Sequence, residues 1–381
     1  MAGIKIIKDI SAIGGADVLG TAMSAVFWFY LASQIEPSSY GEIHWFLGIA
    51  GIFSAIAMFG TINTITVYTA KKIQIQSTLN FISLSASVIL SLIVIVLFPS
   101  FYAIDVGIIL IAYVINTLAI GDLLGRKQYT SYSKYTLVQK GLTLGLGFLF
   151  YYLFGYEAII LALACSYMFY IKIIYSIFRE MKIDFGLIKQ KIGFITNNYL
   201  TFILTGAVGG GQVDKIIVAP LLGFAILGNY SLALQIINVM MIFPSVLYKY
   251  LLPEESTGAS NKRVKIFVII FSIFVSALGI FIAPMLIENF FPKFIEAVDA
   301  IRIMSLAVIP SSIALILEAQ FLGKERSKIV IIGTGISLVF LTTGMIILGS
   351  WFGITGVAWS LVIATTAKTS FYLIKKLLEN N

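Results

Sequence analysis

The stretches LGRKQYTSYSKYTLVQKGLTLGLGFLFYYLFG (residues 124–155) and LGKERSKIVIIGTGISLVFLTTGMIILGSWFG (residues 322–353) decide how this chain is read. Each opens on Leu-Gly and a basic turn, with Arg126 and Lys127 in one and Lys324 in the other. Each then runs through a mostly apolar segment and closes on an aromatic–glycine pair, Phe154-Gly155 or Phe352-Gly353. About 20 apolar residues are what a helix needs to cross the hydrocarbon of a bilayer. The segments are apolar on both parities, whereas a membrane strand would alternate. They therefore read as membrane-crossing helices, and their constant offset of 198 residues reads as an internal repeat.

Similar runs extend outward in both directions. They fall near residues 12–34, 44–69, 78–98, 101–123, 132–154 and 157–178, then 198–221, 224–248, 264–287, 300–322, 328–349 and 354–376. Composition agrees: 59% of the 381 residues are hydrophobic and 12% are charged, where a soluble chain carries about 25% charged residues. Twelve spans of about 21 residues use about 252 of them, leaving about 129 for loops and tails. That excludes a sizeable domain outside the bilayer. The expected fold is all-α and polytopic, with about 12 transmembrane helices in two six-helix bundles.

Charge supports the count. With the N-terminus on the cytoplasmic side, 23 of the 26 lysines and arginines fall in cytoplasmic segments, and only Lys215, Lys293 and Arg302 fall elsewhere. Cytoplasmic loops are the ones enriched in basic residues. The net charge of +8 is thereby accounted for without nucleic acid. Both termini are expected in the cytoplasm, in a multi-pass protein of the cell membrane. The opening MAGIKIIKDISAIGG carries no small-residue cleavage site and reads as a lead-in to the first span rather than a signal peptide.

The single His44 and single Cys165 exclude a zinc site, a haem pair and a disulfide. Cys165 reads as a small packing residue and His44 as a solvated interfacial one. Trp28, Tyr30, Tyr40 and Trp45 around the first outer loop, Tyr151 and Tyr152, and Trp351 read as headgroup anchors. The glycine-rich VGGGQ (208–212) lacks the Gly-Lys-Ser/Thr ending of a phosphate loop. No cofactor is expected, and energy is expected from an H+ or Na+ gradient, the membrane potential or the substrate gradient.

Six spans return the chain to its starting side, so the halves are parallel repeats; in transporters built this way, substrate binds at the repeat interface. The domain reading is a bundle at 1–178, a cytoplasmic linker at 179–197 and a bundle at 198–381. Within the linker Ile183, Leu187, Ile188 and Ile192 are spaced for a helix lying on the membrane surface. Tyr40-Gly41 at the start of span two is matched with Tyr230-Ser231 at an offset of 190.

Several segments resemble one family. VDKIIVAPLLGFAILGNYSLALQI (213–236) resembles the start of the second half in polysaccharide flippases of the Wzx type. SSYGEI (38–43), FGTINTITVYTAKK (59–72), 121–164 and FPKFIEAVDAIRIMSLAVIP (291–310) resemble other parts of it, in order across nearly the whole chain. The resemblance places the chain in the MATE/MOP superfamily, with drug exporters and lipid II flippases. It implies a V of two bundles around a hydrophilic cavity, and alternating-access translocation of a polyprenyl-(pyro)phosphate-linked oligosaccharide for surface polysaccharide or glycoconjugate biosynthesis. The implied partners are the polyprenyl-linked glycan, membrane lipids and a polysaccharide polymerase or glycosyltransferases. The alternative is a MATE-like cation-coupled exporter of small organic molecules. No enzymatic activity is expected, because no outer loop is long enough to carry one.

Charges inside spans cost about 2.5–3.5 kcal/mol at the bilayer centre and so mark cavities or pairs. Lys215 is the candidate for attracting a pyrophosphate, and Asp214, Asp17 and Glu318 are candidates for ion coupling. Adjacent helical residues do not face each other, so Asp214 and Lys215 need separate partners or an unwound backbone. Asp122 and Glu318 are expected to pair with Arg126 and Lys324. Gln212, Asn63, Asn116, Gln235 and Asn238 could read sugar hydroxyls or bond helix to helix. Lipid II flippases carry arginine in span one; here that span has none.

Overall fold

A computed structural model of the chain describes residues 2–59, 61–209, 212–256, 262–324 and 326–380. Among these residues there is helix and turn but no strand. In the first part of the chain lie α1 (Ala2–Gln34), α2 (Pro37–Ala57), α3 (Ile62–Ala70), α4 (Gln76–Leu97), α5 (Ala103–Gly125), α6 (Tyr129–Phe154), α7 (Ile159–Met168) and α8 (Ile171–Glu180). Then follow α9 (Phe185–Gly209), α10 (Val213–Leu222), α11 (Phe224–Met240), α12 (Ile242–Ser256), α13 (Lys262–Phe281), α14 (Ala283–Phe290), α15 (Ala297–Ser305), α16 (Val308–Gly323) and α17 (Ser327–Asn380).

Among the described residues, eight helices are long and apolar enough to cross a membrane, or up to ten if two bent pairs count as single spans. The bent pairs are α11 with α12, at 48°, and α15 with α16, at 42°. One of the eight, Lys328–Leu378, is 51 residues long and holds two crossings. Gly353 inside it has φ 60° and ψ −136°, a conformation open to glycine and not to side chains. The arms fold back antiparallel: a Cβ at Gly344 would lie 2.9 Å from Ser360, and one at Gly356 would lie 1.9 Å from the Leu348 carbonyl oxygen. The span read at 198–221 is likewise divided, between α9 and α10. The all-helical architecture of about 12 spans expected from the apolar runs is the one observed.

The repeat has a structural basis. α5 and α16 end on Gly125 and Gly323, 198 residues apart. Gly155 and Gly353 both take positive φ. At the start of span two the pairing differs from the sequence match. A Cβ at Gly41 would fall 1.9 Å from the Phe224 carbonyl oxygen, and one at Gly228 would fall 1.9 Å from that of Pro37. These contacts are reciprocal at an offset of 187, so Gly41 corresponds to Gly228 rather than to Ser231.

Side-chain sorting shows which solvent the helices meet. The buried residues of α4 are Gln76, Ser77, Thr78, Leu79, Asn80, Ser83, Ser87, Ser91 and Val94, while Val88, Ile89, Leu92, Val96 and Leu97 are exposed. Polar-in and apolar-out is the arrangement hydrocarbon selects, since lipid offers no hydrogen bonds. Small residues also let helices approach closely. Ser87, Ser272, Ser312 and Ser360 return their hydroxyls to carbonyls three or four residues back, so these four serines meet their donors within their own helices. The structure is that of a multi-pass membrane protein.

Two compact units result: Met1–Phe27 with Phe46–Gly206, and Trp28–Trp45 with Ala207–Asn381. The first has a core of Ile65, Leu79, Val114, Leu118, Tyr170 and Ile177 among others. In the second, smaller clusters form around Leu317, Phe321 and Tyr372 and around Leu251, Val268 and Ala319. Residues 179–197 hold the end of α8, a short non-helical stretch and the start of α9, whose Gly186 and Leu187 amides donate to Asp184 Oδ1.

Candidate functional site

The second unit encloses a cavity of about 410 Å³, within the range that holds small ligands. Asp214 and Lys215 of α10, Gln235 and Asn238 of α11, Glu318 of α16 and Lys368 of α17 lie on its walls. The lining is mixed: Leu234, Ile237, Leu315 and Leu361 alternate with these polar groups.

Asp214 and Lys215 are neighbours with different fates. Asp214 is in the first turn of α10 and is buried. Its Oδ1 accepts from the Lys215 backbone N–H at 2.8 Å and its Oδ2 from the Tyr230 hydroxyl at 2.9 Å. A carboxylate at a helix N-terminus is stabilised by the free amides and the dipole there. Both oxygens are thus committed to the protein. The Lys215 side chain points to the cavity, and among the described residues no carboxylate oxygen lies within 4 Å of its ammonium. The two residues therefore take separate directions, as their 100° divergence on a helix requires.

The second charged group on the wall is closed on itself. Lys368 Nζ lies 2.5 Å from Glu318 Oε1, and Tyr372 donates to the same oxygen at 3.1 Å. Glu318 therefore pairs with Lys368 of the last helix, not with Lys324 of its own loop. A residue 50 positions away in sequence gave no local signal for this. The equivalent expectation for Asp122 holds, with Arg126 Nε 2.8 Å from Asp122 Oδ2 and Arg126 Nη1 2.9 Å from Glu180.

His44 departs most from its reading. It is 3% exposed and lines the same cavity. Its ring lies 4.6 Å from that of Trp28 and 4.6 Å from that of Tyr40, and among the described residues no protein group reaches Nδ1 or Nε2. Tyr40, expected at a headgroup interface, is fully buried and packs edge-on against Phe294 at 5.5 Å. Tyr152 and Trp351 are exposed, as interfacial residues should be, and Cys165 is exposed rather than packed.

Gln212, Asp17 and Asn116 are not among the described residues that line this cavity. Gln212 precedes α10, with its Oε1 buried and unpartnered. Asp17 belongs to the first unit, where Tyr132 donates to its Oδ1 at 2.8 Å. Asn116 is half-buried on α5 of that unit. The side chain of Asn63 lies outside those described.

No protein-family model and no curated protein sequence matches the chain. Solved structures do match. One, described as an inward-facing conformation of a multidrug resistance MATE family transporter of the MOP superfamily, is 15% identical, with a TM-score of 0.72 over 94% of each chain. An outward-facing conformation of such a transporter is 16% identical, with a TM-score of 0.66 over 97% of this chain and 95% of that one. A MOP superfamily transporter from Pyrococcus furiosus Vc1, described as having a reverse-polarity binding pocket that suggests a different function, is 15% identical. Its TM-score is 0.63 over 97% of this chain and 95% of that one. At these identities it is the fold that is shared, and this chain folds as the MATE transporters of the MOP superfamily do.

Proposed function

We propose that the protein is a membrane transporter that moves a lipid-linked oligosaccharide, carried on polyprenyl (pyro)phosphate, across the cytoplasmic membrane by alternating access. One observation carries the choice of an anionic cargo. Of the charged groups on the cavity wall, Asp214 has both oxygens occupied and Glu318 is paired with Lys368, while the Lys215 ammonium makes no ion pair within 4 Å among the described residues. The charged group whose hydrogen-bonding atoms are left to meet a substrate is therefore the Lys215 ammonium. A cavity for organic cations would leave a carboxylate open instead.

The sorting of groups supports the division of labour. Lys215 would hold the phosphate while Gln235, Asn238 and Thr365 of the same wall meet sugar hydroxyls and the polyprenyl tail stays in lipid. Fold likeness to transporters described in inward- and outward-facing conformations supports two access states. Coupling to H+ or Na+ is assigned to Asp17, beside Tyr132 in the first unit, with both chain termini in the cytoplasm.

The deciding experiment is leaflet exchange in proteoliposomes, with a fluorescent polyprenyl-pyrophosphate oligosaccharide followed by quencher accessibility. Lys215→Ala is expected to slow exchange about ten- to hundredfold, the worth of a hydrogen bond to a charged group. Uptake of a small organic cation, with no exchange of any polyprenyl glycan, would replace the proposal with an exporter.

A further inference from the structure

We propose that His44 completes an oxyanion subsite with Lys215 and Ser231, taking a phosphate-type group of the substrate. The proposal rests on the reading of this cavity as the substrate site. His44 and Ser231 are both cavity-lining, 3% and 1% exposed, and among the described residues neither the two ring nitrogens nor the serine hydroxyl has a protein partner. Leaving a buried polar atom without a hydrogen bond costs free energy, and native structures rarely tolerate it without a reason. Here three such atoms share one cavity with an ammonium that has no ion pair within 4 Å.

The surroundings fix the orientation of the imidazole. Trp28 and Tyr40 clamp the ring from two directions at 4.6 Å. An ammonium, an imidazole N–H and a hydroxyl together make a donor set for an anion with several oxygens. They would serve an uncharged ligand or a cation poorly. A tetrahedral phosphate offers enough acceptors to engage all three, and donors to an ionised oxygen are the strong ones.

The test is calorimetric titration of the full-length protein in lipid nanodiscs with inorganic pyrophosphate, and separately with a short-chain polyprenyl pyrophosphate. His44→Phe keeps the ring's shape but removes its nitrogens, and His44→Gln keeps a donor. Phe is expected to weaken binding about tenfold and Gln by no more than about threefold. The melting temperature of unliganded His44→Phe should not fall, because two unmet polar atoms are removed. Tighter binding of the polyprenyl compound assigns the subsite to a lipid headgroup, and equal binding assigns it to the phosphate itself.

Unchanged affinity in His44→Phe, or equal loss in Phe and Gln, would overturn the inference, as would failure of the unsubstituted protein to bind either probe. Glycan exchange that needs Lys215 but ignores His44→Phe would sink the subsite and leave the transport reading intact. Pyrophosphate binding through His44 without glycan exchange would do the reverse.

Discussion

Lys215 and His44 differ in how much of their placement on the cavity wall could be read from the sequence. A lysine within an apolar run is costly unless water or an anion meets it, so Lys215 stands out by position alone. His44 lies beside Trp45 in a stretch that reads as interfacial, and its burial depends on Trp28 and Tyr40 closing over it. That is tertiary information. Glu318 is similar: its partner Lys368 comes from the final helix. Because this pair is mostly buried, removing one member strands a charge, a loss of about 3–5 kcal/mol. Glu318→Gln and Lys368→Met should each lower the melting temperature in detergent. Replacing both with apolar residues should restore most of the loss, since Tyr372 can still donate to the Val330 carbonyl 3.1 Å away.

At the level of the helices, apolar runs of the right length marked where spans lie, but not where they break. α2 gives way to α3 and α9 to α10, and α11 and α15 bend into their successors. Each half of a broken span stays apolar, so hydropathy passes over the break. The breaks matter because the one before α10 places a helix N-terminus beside Asp214 and turns Lys215 to the cavity. The turns at Gly155 and Gly353 were legible, as aromatic–glycine pairs at a constant offset. Both have positive φ, and no atom would meet a Cβ at either one. Alanine at each position should therefore cost only the backbone strain, about 1–3 kcal/mol, and similar melting shifts in Gly155→Ala and Gly353→Ala are expected. The opposite case is Gly41→Ala, whose Cβ meets the backbone oxygen of Phe224. It should cost about 3 kcal/mol or more, seen as loss of folded protein on size-exclusion chromatography.

For the chain as a whole, the repeat was visible in its turns, and the structure moves one of its registers from 190 to 187. What the sequence did not show is that Trp28–Trp45, early in the chain, belongs to the unit that holds Ala207–Asn381. Pro37 and Gly41 meet Gly228 and Phe224 almost backbone to backbone. This has a consequence for biogenesis. A ribosome makes the tip of the first hairpin long before it makes its packing partner. For about half of translation those residues must wait in the membrane with their close-contact face uncovered. A chain released after residue 206 should then leave the tip reactive. With Cys165→Ser as background, Ile43→Cys, at a fully buried position, should resist thiol labelling in the complete protein and label readily in the shortened one. Equal protection in both would mean that the early segment finds other cover. Otherwise a helix from the middle of the chain decides when the first hairpin finishes folding.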